Sequence, residues 1–70
     1  MKVSSVQELS NYLRKRRKDI GIRQEDIADL ADIQRESLAR IENGKRDLKT
    51  STLLRLCEAL SLEVIIRERQ

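Results

Sequence analysis

GIRQEDIADLADIQRESLARIENG, residues 21–44, holds two short apolar-periodic segments between the chain's two glycines. Ile27, Ala28 and Ala31 recur at helical spacing, as do Leu38 and Ile41, which predicts helices over about Gln24–Ala31 and Arg35–Asn43. Glu25 and Asp26 fall in the first turn of the earlier segment, where carboxylates oppose the helix dipole. Asp32-Ile33 is the break between the two. Gly21 and Gly44 stand where the preceding helices should stop, since glycine enters the left-handed region freely.

Upstream, Ser5-Val6-Gln7-Glu8 reads as a capping box, the hydroxyl meeting the N–H three residues on and Glu8 reaching back. The helix it opens carries Val6, Leu9, Leu13 and Ile20 on one stripe, with Tyr12 at the margin. Downstream of a basic loop, Thr50 or Ser51 is the expected cap of a fourth helix whose buried stripe is Leu53, Leu56, Cys57 and Leu60. From Leu62 the period changes. Leu62, Val64 and Ile66 alternate with Glu63, Ile65 and Arg67, which predicts a short strand over residues 62–68; an extension of the fourth helix is the other reading of the same run. The expected fold is all-α, one domain over residues 1–70, with four helices and a C-terminal strand.

Composition narrows the function. Seventy residues bury a small core with a thin margin of stability, so a staple or a partner chain is expected. Cys57 is the only cysteine and there is no histidine, which rules out an internal disulfide and leaves too few ligands for a zinc site. Without histidine there is no Ser–His or Cys–His pair to activate a nucleophile. With no Trp or Phe and one Tyr, little remains to wall a substrate cleft. An enzyme, a cofactor and a metal are therefore not expected. Fifteen Lys and Arg against twelve Asp and Glu give a net charge of +3, compatible with nucleic acid. No apolar run is long enough to span a membrane and Met1–Ser5 lacks a signal sequence's apolar core, so the cytoplasm is the expected compartment.

Two short helices about three residues apart, the second closed by glycine, have the layout of a helix-turn-helix over residues 23–43. Spacing alone would fit any small bundle; the residues are more specific. Gly21-Ile22-Arg23-Gln24-Glu25-Asp26-Ile27-Ala28 resembles the opening of the motif in the Cro and phage-repressor (XRE) family. Ser37-Leu38-Ala39-Arg40-Ile41-Glu42-Asn43-Gly44-Lys45-Arg46 resembles its recognition helix and the following loop. Thr52-Leu53-Leu54-Arg55-Leu56 through Ala59-Leu60 is similar to its fourth helix. The likeness runs from about Leu9 to Leu62 without a gap.

That resemblance implies a sequence-specific repressor of double-stranded DNA. It places Gln34, Arg35, Glu36 and Arg40 toward the major groove, where Arg can read guanine, Gln adenine, and Glu can accept from cytosine. Phosphate contact or plain solvation is the bland alternative for the arginines, and Glu36 has a competing role as a brace for Arg40 one turn on. Arg23, Gln24, Asn43, Lys45 and Arg46 fall at expected phosphate contacts, Gln24 also bracing the recognition helix. Arg17 and Glu42 match a pair that bridges the first and third helices in the family. The surrounding run Arg14–Lys18 invites a nucleic-acid reading; the competing and favoured one is a solvated face turned toward the acids of the second helix. Arg23 and Gln34 replace the usual cap residues, Asp32 a usual glycine and Leu48 a common proline. Asp29, Asp32 and Glu36 add negative charge near the expected DNA face.

The tail suggests the assembly. A lone strand beside helices leaves its backbone unpaired, whereas two copies can pair across a twofold axis and bury Leu62, Val64 and Ile66. A homodimer would suit a palindromic operator with half-sites roughly 34 Å apart. Leu60-Ser61-Leu62-Glu63-Val64 resembles the helix-to-strand junction of the HipB-type antitoxins, which implies an autorepressor and a kinase-like toxin as partner. A phage or restriction-system regulator is the other reading within the class. A protein-interaction adaptor with the same fold and no DNA binding is the reading from a different class.

Overall fold

The computed structural model describes residues 2–45 and 47–69. These form four helices: α1 (Val6–Ile20), α2 (Gln24–Leu30), α3 (Arg35–Glu42) and α4 (Thr50–Ala59). α2 packs on both α3 and α4, and α1 packs on α3. The centre is a single cluster built from Leu13 of α1, Ile27, Ala28 and Ala31 around α2, Leu38 and Ile41 of α3, and Leu56, Cys57 and Leu60 of α4.

The helix starts follow local chemistry unevenly. Ser5 Oγ accepts from the Glu8 N–H at 3.1 Å, so α1 has the hydroxyl cap its sequence predicts. α2 and α3 begin at Arg23 and Gln34, neither of which makes a side-chain capping bond. The expected cap of α4 at Thr50 or Ser51 is corrected: both residues are already helical, and extended Lys49 precedes them without a side-chain cap. A hydroxyl caps only from the extended residue before the first turn.

The helix ends share one device. After each helix a single residue takes a positive φ: Gly21 (83°), Asp32 (57°), Gly44 (70°) and Ser61 (56°). The next residue's N–H then reaches the carbonyl five residues back, as in Ile22 to Arg17 (3.2 Å), Ile33 to Ala28 (3.0 Å), Lys45 to Arg40 (3.1 Å) and Leu62 to Cys57 (2.7 Å). This is the Schellman pattern, and three of its four following residues (Ile22, Ile33 and Leu62) pack against the core as that motif favours. α2 and α3 end one residue before the predicted Ala31 and Asn43, which serve as their C-caps.

The stripe expected along α1 is buried only at its middle. Leu13 is fully buried and Leu9 partly so, while Val6 and Ile20 are exposed and Ser10 takes an interior place. At about 1.5 Å per residue α1 is roughly 22 Å long, about twice its neighbours α2 and α3, so its ends overhang them.

The predicted strand over 62–68 does not form in a single chain: among the described residues there is no strand, and 62–69 is neither helix nor sheet. Leu62 packs against the core, and the residues after it are exposed. A β-ladder requires a second backbone hydrogen-bonded to the first, and among the described residues none pairs with the tail. Among the described residues, no helix is long and apolar enough to cross a membrane.

Candidate nucleic-acid interface

α3 presents two unlike faces. Leu38, Ile41 and Glu42 are turned into the protein, while Arg35, Glu36 and Arg40 are exposed, as is Gln34 just ahead of the helix. At 3.6 residues per turn Glu36 and Arg40 stand about 40° apart on the outward side, whereas Arg35 and Arg40 are about 140° apart. The two arginines therefore occupy different flanks of one exposed helix. The brace expected between Glu36 and Arg40 is absent: among the described residues no ion pair joins them.

What fixes α3 is a polar junction beneath it. Arg17 reaches from α1 to Glu42, Nε donating to Oε2 at 2.7 Å and Nη2 to Oε1 at 3.0 Å. Its Nη1 donates to the Ile22 carbonyl at 2.9 Å, in the turn that leads into α2. Gln24, at the start of α2, donates from Nε2 to Glu42 Oε1 at 3.0 Å. One carboxylate thus gathers α1, α2 and α3. Glu42 is only 3% exposed, so these bonds replace the water its charge has lost.

Two arginines that sequence reading did not single out hold the ends of other helices. Arg55 Nε of α4 donates to the Ala31 carbonyl at 2.9 Å, pinning the end of α2 beside the turn. Arg16 Nε donates to the Leu60 carbonyl at 3.0 Å, where the chain leaves α4. A cation at a helix C-terminus satisfies an orphan carbonyl and the dipole together. Neither has a local signal, because the partners are 24 and 44 residues away.

Among the described residues, no ion pair joins the basic run of α1 to an acid of α2. Lys15 bridges to Asp19 of its own helix at 2.8 Å, which raises the Lys15 pKa above its ordinary value, Arg16 serves Leu60 and Arg17 serves Glu42. The two acids in the first turn of α2 are met instead by Arg23, whose Nε contacts Asp26 at 3.2 Å and whose Nη1 lies 3.4 Å from Glu25. Hydrogen bonding to Asp26, then the charges of Asp26 and Glu25, strengthen the Arg23 proton's hold. Arg23 is exposed, so water screens these contacts.

Gln24 stands half-buried at the foot of α2, and Asn43 and Lys45 are exposed after α3. Arg46 lies outside the described residues. Asp29 and Asp32 flank a shallow open depression at the turn, lined also by Ile33, Gln34 and Ser37. The outer surface of the motif thus mixes cations on and after α3 with carboxylates on the turn.

A buried scaffold that immobilises a short, outward-facing polar helix defines a helix-turn-helix protein. Residues 13–65 match the family model described as helix-turn-helix, and the chain belongs to that family, of XRE type. Among solved structures it is similar to the restriction-modification controller protein C.AhdI from Aeromonas hydrophila. That match has 29% identity over 83% of this chain and 88% of the other, with a TM-score of 0.79. It is similar in fold to HipB from a complex with an O2 20mer, at 20% identity over 100% of this chain and 97% of the other, with a TM-score of 0.87. The clp gene regulator ClgR from Corynebacterium glutamicum aligns at 25% identity over 84% of this chain and 76% of its own, TM-score 0.80. A search of curated proteins finds no match.

Proposed function

We propose that this chain is a sequence-specific transcriptional repressor that binds a palindromic DNA operator as a homodimer. The observation that carries the reading is α3 itself: exposed along Arg35, Glu36 and Arg40, and immobilised from behind through Arg17, Glu42 and Gln24. A groove-reading helix needs both properties, since base contacts form only if the helix docks in one orientation. Gln34, Arg35, Glu36 and Arg40 are assigned to base edges. Gln24, Asn43, Lys45 and Arg46 are assigned to phosphates, with Arg23 a weaker candidate because its guanidinium is shared with Asp26 and Glu25. The dimer is assigned to the tail, two copies pairing over 62–68 and covering Leu62, Val64 and Ile66.

Within this class we favour an autorepressing antitoxin with a kinase-like toxin as its partner. The fold match to HipB supports it by running the whole length of the chain, tail included. The match to C.AhdI supports a second reading, a restriction-system regulator, through its higher identity. The reading frame beside this one separates them: a kinase-like gene favours the antitoxin, and a methyltransferase or endonuclease gene favours the controller.

Titration against the DNA upstream of its own gene, at several salt concentrations, tests the core proposal. A dimer neutralising about 6–8 phosphates gives log K falling with log[salt] at a slope of roughly −5 to −7. Absence of specific binding at low salt rejects the repressor and favours an adaptor built on the same fold.

A further inference from the structure

Resting on the homodimer proposed above, we infer that the twofold axis passes through Ile65 and that Glu63 of each copy pairs with the partner's Arg67. Three observations converge on this register.

The first is exposure along the tail. Leu62 packs against its own core, Val64 is 47% exposed, Ile65 71% and Ile66 93%. Residues before a twofold axis rest on their own subunit and residues beyond it lie over the other one. A tail covered at Leu62 and bare at Ile66 has its crossing point between them.

The second is symmetry. Both tails must turn the same face toward the helices, so the axis stands perpendicular to the ribbon and passes between two copies of one residue. Centring on Val64 sets Glu63 opposite Ile65. Centring on Ile66 sets Glu63 opposite Arg69, but Val64 opposite Glu68 and Ile65 opposite Arg67. Centring on Ile65 sets Val64 opposite Ile66 on the inner face, Ile65 opposite itself on the outer face and Glu63 opposite Arg67 twice, leaving Leu62 opposite Glu68 only at the ends of the ribbon. Directly opposed side chains dominate pairing in an antiparallel ribbon, and opposite charges there are favourable.

The third is availability. Among the described residues, neither Glu63 nor Arg67 takes part in an ion pair within its own chain, and both are exposed. An open groove beside the tail joins Leu9, Tyr12 and Leu53 to Glu63 and Arg67 themselves, so both charges border the space a partner tail would enter.

The consequence is a dimer that selects its partner by charge order. Sedimentation equilibrium on the full chain tests it with Glu63→Arg, Arg67→Glu, the double variant, and a mixture of the two single variants. All changes lie on the exposed tail, clear of the core. Each single variant should self-associate roughly tenfold more weakly, because it sets like charges opposite at two symmetric places. The double variant should recover. The mixture should form heterodimers, since one copy then carries arginine at both positions and the other glutamate at both, so that opposite charges meet at each place. Single variants that dimerise as tightly as the wild type, or a mixture that gains nothing, overturn the register while leaving the dimer standing. A wild-type chain that stays monomeric overturns the dimer and the register together.

Discussion

Arg17 and Glu42 meet in a two-point contact, guanidinium edge to carboxylate, between the first helix and the end of the third. The side chains are 11% and 3% exposed, which separates this pair from the other ion pairs among the described residues, which are well solvated. Withdrawing two charges from water is costly, and the contact repays it only because the remaining polar atoms are used: Arg17 also serves Ile22, and Glu42 also accepts from Gln24. The pair orients α3 more than it deepens the core.

Removing one partner should therefore be worse than removing both. Glu42→Ala should lower stability by about 3–5 kcal/mol, because a buried guanidinium loses its counter-charge. A domain of this size has only roughly 4–10 kcal/mol in total, so urea melts should show a barely folded chain. Arg17→Met with Glu42→Leu should restore much of the loss. If the double variant is no more stable than Glu42→Ala, the pair does not act as a unit.

The four helix ends predict an asymmetry between glycine and non-glycine sites. Asp32 and Ser61 hold positive φ values that side chains with a Cβ adopt at a cost of about 1–2 kcal/mol, partly offset by glycine's greater flexibility when unfolded. Asp32→Gly and Ser61→Gly should each raise stability by about 0.5–1 kcal/mol in thermal or urea melts. Gly21→Ala should lower it by about 1 kcal/mol through backbone strain alone, since nothing crowds an added Cβ there.

Arg40 and Arg23 should respond differently in DNA binding. Arg40→Ala should cost about 1–3 kcal/mol against the preferred operator and relax preference at one base position. Arg23→Ala should weaken all sequences alike and only slightly, its guanidinium being shared with Asp26 and Glu25. Competition against a library of operator variants reads both, and a uniform loss for Arg40→Ala would move that residue to the phosphates.

Burial pushes the Cys57 thiol above its ordinary pKa of 9.0. The folded chain then holds this proton more tightly than the unfolded one, so the contribution is complete below about pH 9 and fades as pH rises through the higher folded value. Stability measured from about pH 8 to 10.5 should decline in the upper half of that range for the wild type and less for Cys57→Ala relative to its own neutral value. Thiol-specific reagents at about pH 8 should label the native protein far more slowly than the urea-unfolded chain. Fast native labelling would mean that α4 opens readily.

Truncation after Ser61 removes the tail and leaves every helix intact. Monomer–dimer equilibrium should shift strongly to monomer, with specific DNA binding weakened in step. A shortened chain that remains a stable dimer would place the interface elsewhere.

Much of the motif was legible because its causes are local. Apolar residues at helical spacing located all four helices, and Ile27, Ala28, Ala31, Leu38 and Ile41 are buried as that spacing implies. Ser5, Gly21 and Gly44 marked boundaries through their own backbone chemistry. The left-handed Ser61 was not legible, since serine rarely takes that conformation and the following Leu62 bond to Cys57 enforces it. Arg17 with Glu42 was legible only through family resemblance.

The sequence alone thus determined where the helices lie, which stripes α2 and α3 bury, and that helix ends are sealed near 21, 32 and 44. Tertiary structure decided the rest: that Val6 and Ile20 overhang the body, that Arg16 and Arg55 hold the carbonyls of Leu60 and Ala31, and that Gln24 turns to Glu42. The physical reason is range. Periodicity and capping act within a turn or two of one helix, whereas a guanidinium finds its carbonyl through space, after packing has brought residues distant in sequence together.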